Sequence, residues 1–218
     1  MNRSMPKCLR EATDARPGFA STRAEPFTKT RTLAVDHLRT ADRFAYWREQ
    51  WCEDTVGVTG DLSVSERDAF YARATTWVAP HVIRLRCETG PFEVSRGLPQ
   101  IKRRSWQDWI WLYQEMSEGS TFRHAGNEFS MRRGDLLVTD PMIPFFSWPQ
   151  TSHNYWRWLL PRAWIEPHLS SSCGPLSVRL TASRGLNGLI GSYLGALNDA
   201  MEELDGYRFD EPAGKGPS

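Results

Sequence analysis

The chain has 218 residues, room for one domain with appendages, and its 40% hydrophobic and 24% charged content is ordinary for a soluble globular protein. A formal net charge of +1 excludes a whole-molecule field built to attract nucleic acid or acidic substrates. Cys8, Cys52, Cys87 and Cys173 lie far apart, with no C-x-x-C pair, no signal core and no bilayer-length apolar run, so free thiols in a reducing cytoplasm are expected.

Residues 1–38 read as a disordered basic arm. The first 36 carry seven Lys/Arg against four Asp/Glu and show no apolar periodicity, so they bury too little surface to offset their ordering entropy. Order begins at "TADRFAYWREQW", where Phe44, Trp47 and Trp51 share one helical stripe and Thr40 is a candidate N-cap. That stripe is expected to be core rather than ligand contact.

From Phe70 to Leu160 the period shortens. "FYARATTWV", "HVIRLRC", "DWIWLYQEM", "STFRHA", "EFSM", "LLVTD" and "HNYWRWLL" are separated by turn residues, the spacing of a β-sandwich or barrel. "DWIWLYQEM" is apolar on both faces, as a strand covered on both sides would be. "HNYWRWLL" sends Asn154, Trp156 and Trp158 one way and His153, Tyr155 and Arg157 the other; the second face lines a cavity or meets solvent. In "RRGDLLVTDPMIPFFSWPQ", Arg133-Gly134-Asp135 turns the chain, Leu136-Leu137-Val138 makes a short strand, and Phe145, Phe146 and Trp148 follow. The basic clusters Lys102-Arg103-Arg104 and Arg132-Arg133 fall in strand or turn context without a recognition helix, and read as solvated edges.

"LPRAWIEPHL" begins a short helix at Pro161. In "SRGLNGLIGSYLGALNDAMEELDG", Leu186, Ile190, Tyr193, Leu197, Ala200 and Leu204 form one apolar stripe, with Ser183 and Gly206 as candidate boundaries. The parent domain or a partner's copy would satisfy it equally, and Gly188, Gly191 and Gly195 permit close approach. Residues 207–218 read as a flexible tail.

No catalytic constellation emerges. His37, His81, His124, His153 and His168 are isolated, and a turn at Ala125-Gly126-Asn127 separates His124 from Glu128, so no metal site is expected. A nucleophile elbow and a phosphate loop are both missing. The chain is read as a non-enzyme without a cofactor.

The order of elements, with Gly134-Asp135-Leu136, Asp140 and Pro144 and the Leu160-Pro161-Arg162 entry to a helix, resembles the N-terminal ligand-binding (AraC-binding-like) domain of AraC/XylS-type transcription regulators over roughly residues 40–205. The resemblance implies a mainly β fold with flanking helices (α+β): a cupin-like β-barrel over 39–170 that senses a small molecule without a metal, then a helical dimerisation segment over 171–206. In that family a pair of helix-turn-helix units follows. This sequence ends at Ser218, so it is read as a sensor lacking its own DNA reader, a truncated regulator or a stand-alone fragment, contacting DNA only if that domain is supplied elsewhere. Different readings are a cupin-type enzyme and an interaction protein that modulates full-length regulators through mixed dimers.

A sensing barrel needs large apolar surface and a few orienting polar groups. Trp109, Trp111, Tyr113 and Arg157, with Phe122 and Trp148 at the rim, are the candidate contacts to an aromatic or aliphatic acid; Arg157 would pair with its carboxylate or phenolate. Leu186, Ile190, Tyr193, Leu197 and Leu204 are the candidate homodimer contacts.

Overall fold

The computed structural model describes residues 28–79, 81–149, 151–169, 174–183 and 185–209. Residues 1–27 of the basic arm, Cys8, Cys173 and the tail beyond 209 lie outside them. In chain order the strands are β1 (Thr28–Ala34), β2 (Thr59–Asp61), β3 (Ala72–Ala79), β4 (Val82–Thr89), β5 (Glu93–Arg96), β6 (Trp109–Glu115), β7 (Ser120–His124), β8 (Asn127–Met131), β9 (Leu136–Thr139), β10 (Phe145–Pro149), β11 (His153–Pro161) and β12 (Ser177–Leu180). The helices are α1 (Thr40–Trp47), continued by a π-helical stretch (Arg48–Val56), α2 (Leu98–Arg103), α3 (Arg162–Ile165) and α4 (Gly185–Phe209).

The strands form two sheets, ordered β1-β3-β4-β11-β6-β9-β12 and β2-β5-β10-β7-β8, with every pairing antiparallel. They face each other across one core, and among the described residues no strand pair joins them, so the expected barrel is not closed by hydrogen bonds. All seven anticipated strands are present. The hairpin at Ala125–Gly126 has positive φ at both residues, the twist a two-residue connection needs. It leaves His124 buried and Glu128 exposed against Arg123. Gly134 turns with φ 84°, as its place before β9 requires.

Several expectations need correction. Thr28–Ala34 is strand rather than arm: alternating threonines favour extended backbone, and Leu33 gives it a buried anchor on the edge beside β3. Arg39, not Thr40, caps α1, and no side chain closes that end. The cluster at Lys102-Arg103-Arg104 ends a helix rather than an edge strand. Pro99 sits in its first turn, and the Gln100 Oε1 reaches back to accept the Gly97 N–H at 3.0 Å. The segment 171–206 is not wholly helical, since β12 lies within it, and α4 runs through Gly206 to Phe209.

Phe44, Trp47 and Trp51 are buried, so the α1 stripe is core. Outside the large sheet, Trp77 and Trp156 cover the buried guanidinium of Arg84 at 4.1 and 4.6 Å. This face also carries α4. Gln114 donates to the Gly191 carbonyl at 2.9 Å and accepts from the fully buried Asn198 at 3.2 Å, and Arg86 pairs with Glu202 at 2.5 Å. The helix approaches on its small residues. A Cβ on Gly191 would lie 3.0 Å from the Gly134 carbonyl, and one on Gly188 only 2.4 Å from that of Ala182.

Candidate ligand-binding cleft

Pleat alternation determines which side chains enter the space between the sheets. On β11, His153, Tyr155, Arg157 and Leu159 point in, and Trp156 and Trp158 point out. On β6, Trp111, Tyr113 and Glu115 point in and Gln114 points out. On β10, Phe145 and Ser147 are buried inward, while Phe146 and Trp148 stack on the far face at 5.0 Å.

Two spaces meet at Arg157. An outer cleft of about 120 Å³ is lined by Val78, Ile83, Leu85 and Leu159 from the large sheet, Trp106 and Trp111, Thr55 and Val56, and the guanidinium groups of Arg104 and Arg157. An inner chamber of about 20 Å³ lies beneath it, with Ser147, His153, Tyr155 and Arg157 as its polar wall and Cys52, Phe92, Phe122 and Phe145 among its apolar residues. Val56 and Arg157 line both.

Three arginines crowd this end of the fold. Arg96 is fully buried and donates to the carbonyls of Pro141 at 2.9 Å, Arg104 at 2.6 Å and Gly57. Gly57 stands at φ 77°, and a Cβ there would lie 2.9 Å from the Arg96 Nη1, so only glycine allows the grip. Burial lowers the Arg96 pKa to about 10, with Arg157 and Arg104 adding repulsion. Burial also lowers that of Arg104, against the pull of Asp54. Arg157 differs. It is 6% exposed, and among the described residues its Nε has no hydrogen-bond partner and no ion pair includes it. Its guanidinium lies over Trp111 at 4.5 Å and Tyr155 at 5.2 Å, contacts that soften a buried cation's cost without neutralising it.

Beside the chamber runs a buried polar chain. Tyr113 Oη donates to Glu115 at 2.9 Å and lies 2.5 Å from the His153 Nε2. Glu115 also accepts from the Ser117 N–H at 3.0 Å and from the hydroxyls of Ser117 and Ser120. Burial lowers the His153 pKa to about 4, opposed by Glu115 and aided by Arg157, so the ring is neutral near pH 7. Burial, then Glu115, raises that of Tyr113 well above its ordinary value. Every lone pair of Glu115 in use explains how a carboxylate stays fully buried here.

Of the six proposed contacts, the structure places Trp111 and Arg157 in the outer cleft and Phe122 and Arg157 in the inner chamber. Tyr113 is buried against Phe122, with ring centroids 4.8 Å apart. Trp109 is half-buried against the core at the strand's start, and Trp148 stands outside with Arg123 5.0 Å over its ring. Arg96, Arg104, Trp106 and Ser147 were missed. The alternation of Val94 with Arg96 was legible as an inward position; the folding of Arg104 and Trp106 over the cleft was not. Of the proposed dimer contacts, Leu186, Ile190 and Tyr193 are exposed on α4 together with Leu189, Leu197 is half-buried, and Leu204 lies outside the described side chains. Among the described residues no three His, Cys, Asp or Glu side chains converge as a metal site.

No family model and no curated protein matches the sequence. Solved structures do. An AraC-like transcriptional activator, CuxR, is similar over 79% of this chain and 60% of its own, with 18% identity and a TM-score of 0.65. Other solved structures match more loosely. They include a putative ethanolamine utilization protein Q from Salmonella typhimurium LT2 (13% identity, 52% and 73% coverage, TM-score 0.32) and a cupin 2 conserved barrel domain protein from Salinispora arenicola CNS-205 (13%, 44% and 82%, 0.32). The fold is shared with the matched part of the AraC-like activator, and the chain spans less than two thirds of the activator's length. Among the described residues no helix is long and apolar enough to cross a membrane.

Proposed function

We propose that this chain is the cytoplasmic small-molecule-sensing and dimerising part of an AraC-type transcription regulator, and that its effector is a small, largely apolar organic acid. The observation that carries the reading is Arg157, a buried guanidinium with its Nε unpartnered at the junction of an apolar cleft and an inner chamber. A buried cation is costly unless paired, and a carboxylate matches its fork of donors. The fold's likeness to an AraC-like activator supports the regulatory half. Screening aromatic and aliphatic acids by tryptophan fluorescence, with Trp111 as reporter, tests it: hits should be lost in Arg157→Ala. An acid bound as tightly by the variant as by wild type would refute the role of Arg157.

Dimerisation rests on α4, which spends its glycine face on the sheet and leaves Leu186 (63% exposed), Leu189 (66%) and Tyr193 (66%) beside Ile190. Light scattering of wild type should give a dimer and that of Ile190→Lys/Tyr193→Lys a folded monomer. A monomeric wild type at high micromolar concentration removes this part. The second reading, a cupin-type enzyme, draws on the Tyr113–His153–Glu115 chain beside the chamber. Calorimetric titration of the purified protein with divalent metals tests it, and saturable uptake of one equivalent would favour it.

A further inference from the structure

The two spaces differ in size and in polarity, and that difference specifies the ligand further. The inner chamber, about 20 Å³, has room for one small polar group, since a water needs about 10–15 Å³. Two unpartnered donors line it: the Arg157 Nε and the Oγ of Ser147, a residue only 2% exposed. The polar neighbours have other commitments. His153 Nε2 is engaged by Tyr113, and Glu115, the nearby carboxylate, is saturated by serine and tyrosine donors. Above, the outer cleft of about 120 Å³ is lined by aliphatic side chains, two indoles, Thr55, Thr76 and the arginines Arg104 and Arg157, and a cavity of roughly 150 Å³ holds a benzene ring.

Resting on the acid-sensing reading above, we propose that the site selects a compact monocarboxylate. Its head group lodges at the Arg157 partition, accepting from the Arg157 Nε–H and the Ser147 Oγ–H, and its body, no larger than a six-membered ring, fills the outer cleft. Ser147 is thereby a specificity-determining residue: its hydroxyl donates a stronger hydrogen bond to a charged carboxylate than to the carbonyl of a neutral head group.

The test is calorimetric titration of wild type and Ser147→Ala with cyclohexanecarboxylate, hexanoate, cyclohexanecarboxamide and decahydronaphthalene-2-carboxylate. Wild type should bind the first two, and should bind the amide and the two-ring acid at least about tenfold more weakly, the cost of one weakened charged hydrogen bond or one misfit. Ser147→Ala should weaken the two compact acids about tenfold and the amide only about threefold. Binding of the two-ring acid as tightly as the compact acids overturns the size limit, and equally tight binding of the amide overturns the head-group limit. An equal effect of Ser147→Ala on acid and amide, or no effect on either, overturns the role of Ser147. These results leave the acid-sensing reading standing, whereas failure of wild type to bind any acid overturns the two together.

Discussion

Arg96 and Arg157 stand close enough to repel each other, both nearly inaccessible to water, and the fold treats them differently. Arg96 is spent on three backbone carbonyls from loops far apart in the chain, and it holds the Gly57, Arg104 and Pro141 segments together at the mouth of the cleft. Arg157 has aromatic rings around it and no bonded acceptor for its Nε. A buried charge satisfied by its own chain is structural. One left with unused donors beside a cleft is an anchor for something brought from outside.

That comparison breaks most visibly at Arg96. Arg96→Met should lower stability by about 4 kcal/mol in urea unfolding, because charged hydrogen bonds are lost and buried carbonyls are left unpaired. A loss under about 1 kcal/mol would mean that the loops are held by something else. His153 provides the next largest effect. Its folded pKa of about 4 lies below the ordinary 6.5, so the unfolded chain takes up a proton that the fold refuses. The associated stability is complete above pH 6.5 and is lost as pH falls towards 4, on the order of 3 kcal/mol in all. His153→Gln should flatten that window when unfolding is compared at its two ends. An unchanged slope would shift the cause to other groups, such as His124, whose pKa burial also lowers.

How much of this was readable beforehand depends on whether the signal is local. The alternation in "HNYWRWLL" put Arg157 on one face with His153 and Tyr155, because a strand's period is set by its own backbone, but left open whether that face met a cavity or solvent. Trp148 was misplaced because Phe145–Pro149 was taken as a run of aromatics; read as a strand, it sends Phe145 and Ser147 in and Trp148 out. Arg96 resembles any surface arginine until three distant carbonyls converge on it, and no local pattern carries that. The α4 stripe was real, yet the glycines four and three apart formed a second stripe, and that one met the sheet.

The two faces of α4 give a smaller test. Gly188→Ala should destabilise by about 1–2 kcal/mol although alanine is the better helix former, since its Cβ would press on the Ala182 carbonyl. Leu189→Lys, on the exposed face, should leave monomer stability within about 0.5 kcal/mol. An effect of the opposite sign is expected at the second arginine. Arg157→Met should be neutral or stabilise by up to about 1 kcal/mol, the opposite sign to Arg96→Met, because it removes a buried charge that the fold does not pair.

The most direct measurement of the anchoring role is urea unfolding of wild type and Arg157→Met, each with and without saturating cyclohexanecarboxylate. A ligand that binds only the folded state raises its stability in proportion to the logarithm of its concentration. The wild-type midpoint should rise with added acid while that of Arg157→Met stays where it is. Equal rises in the two proteins, or none in wild type, would contradict the assignment of Arg157 as the anchor of an acidic ligand.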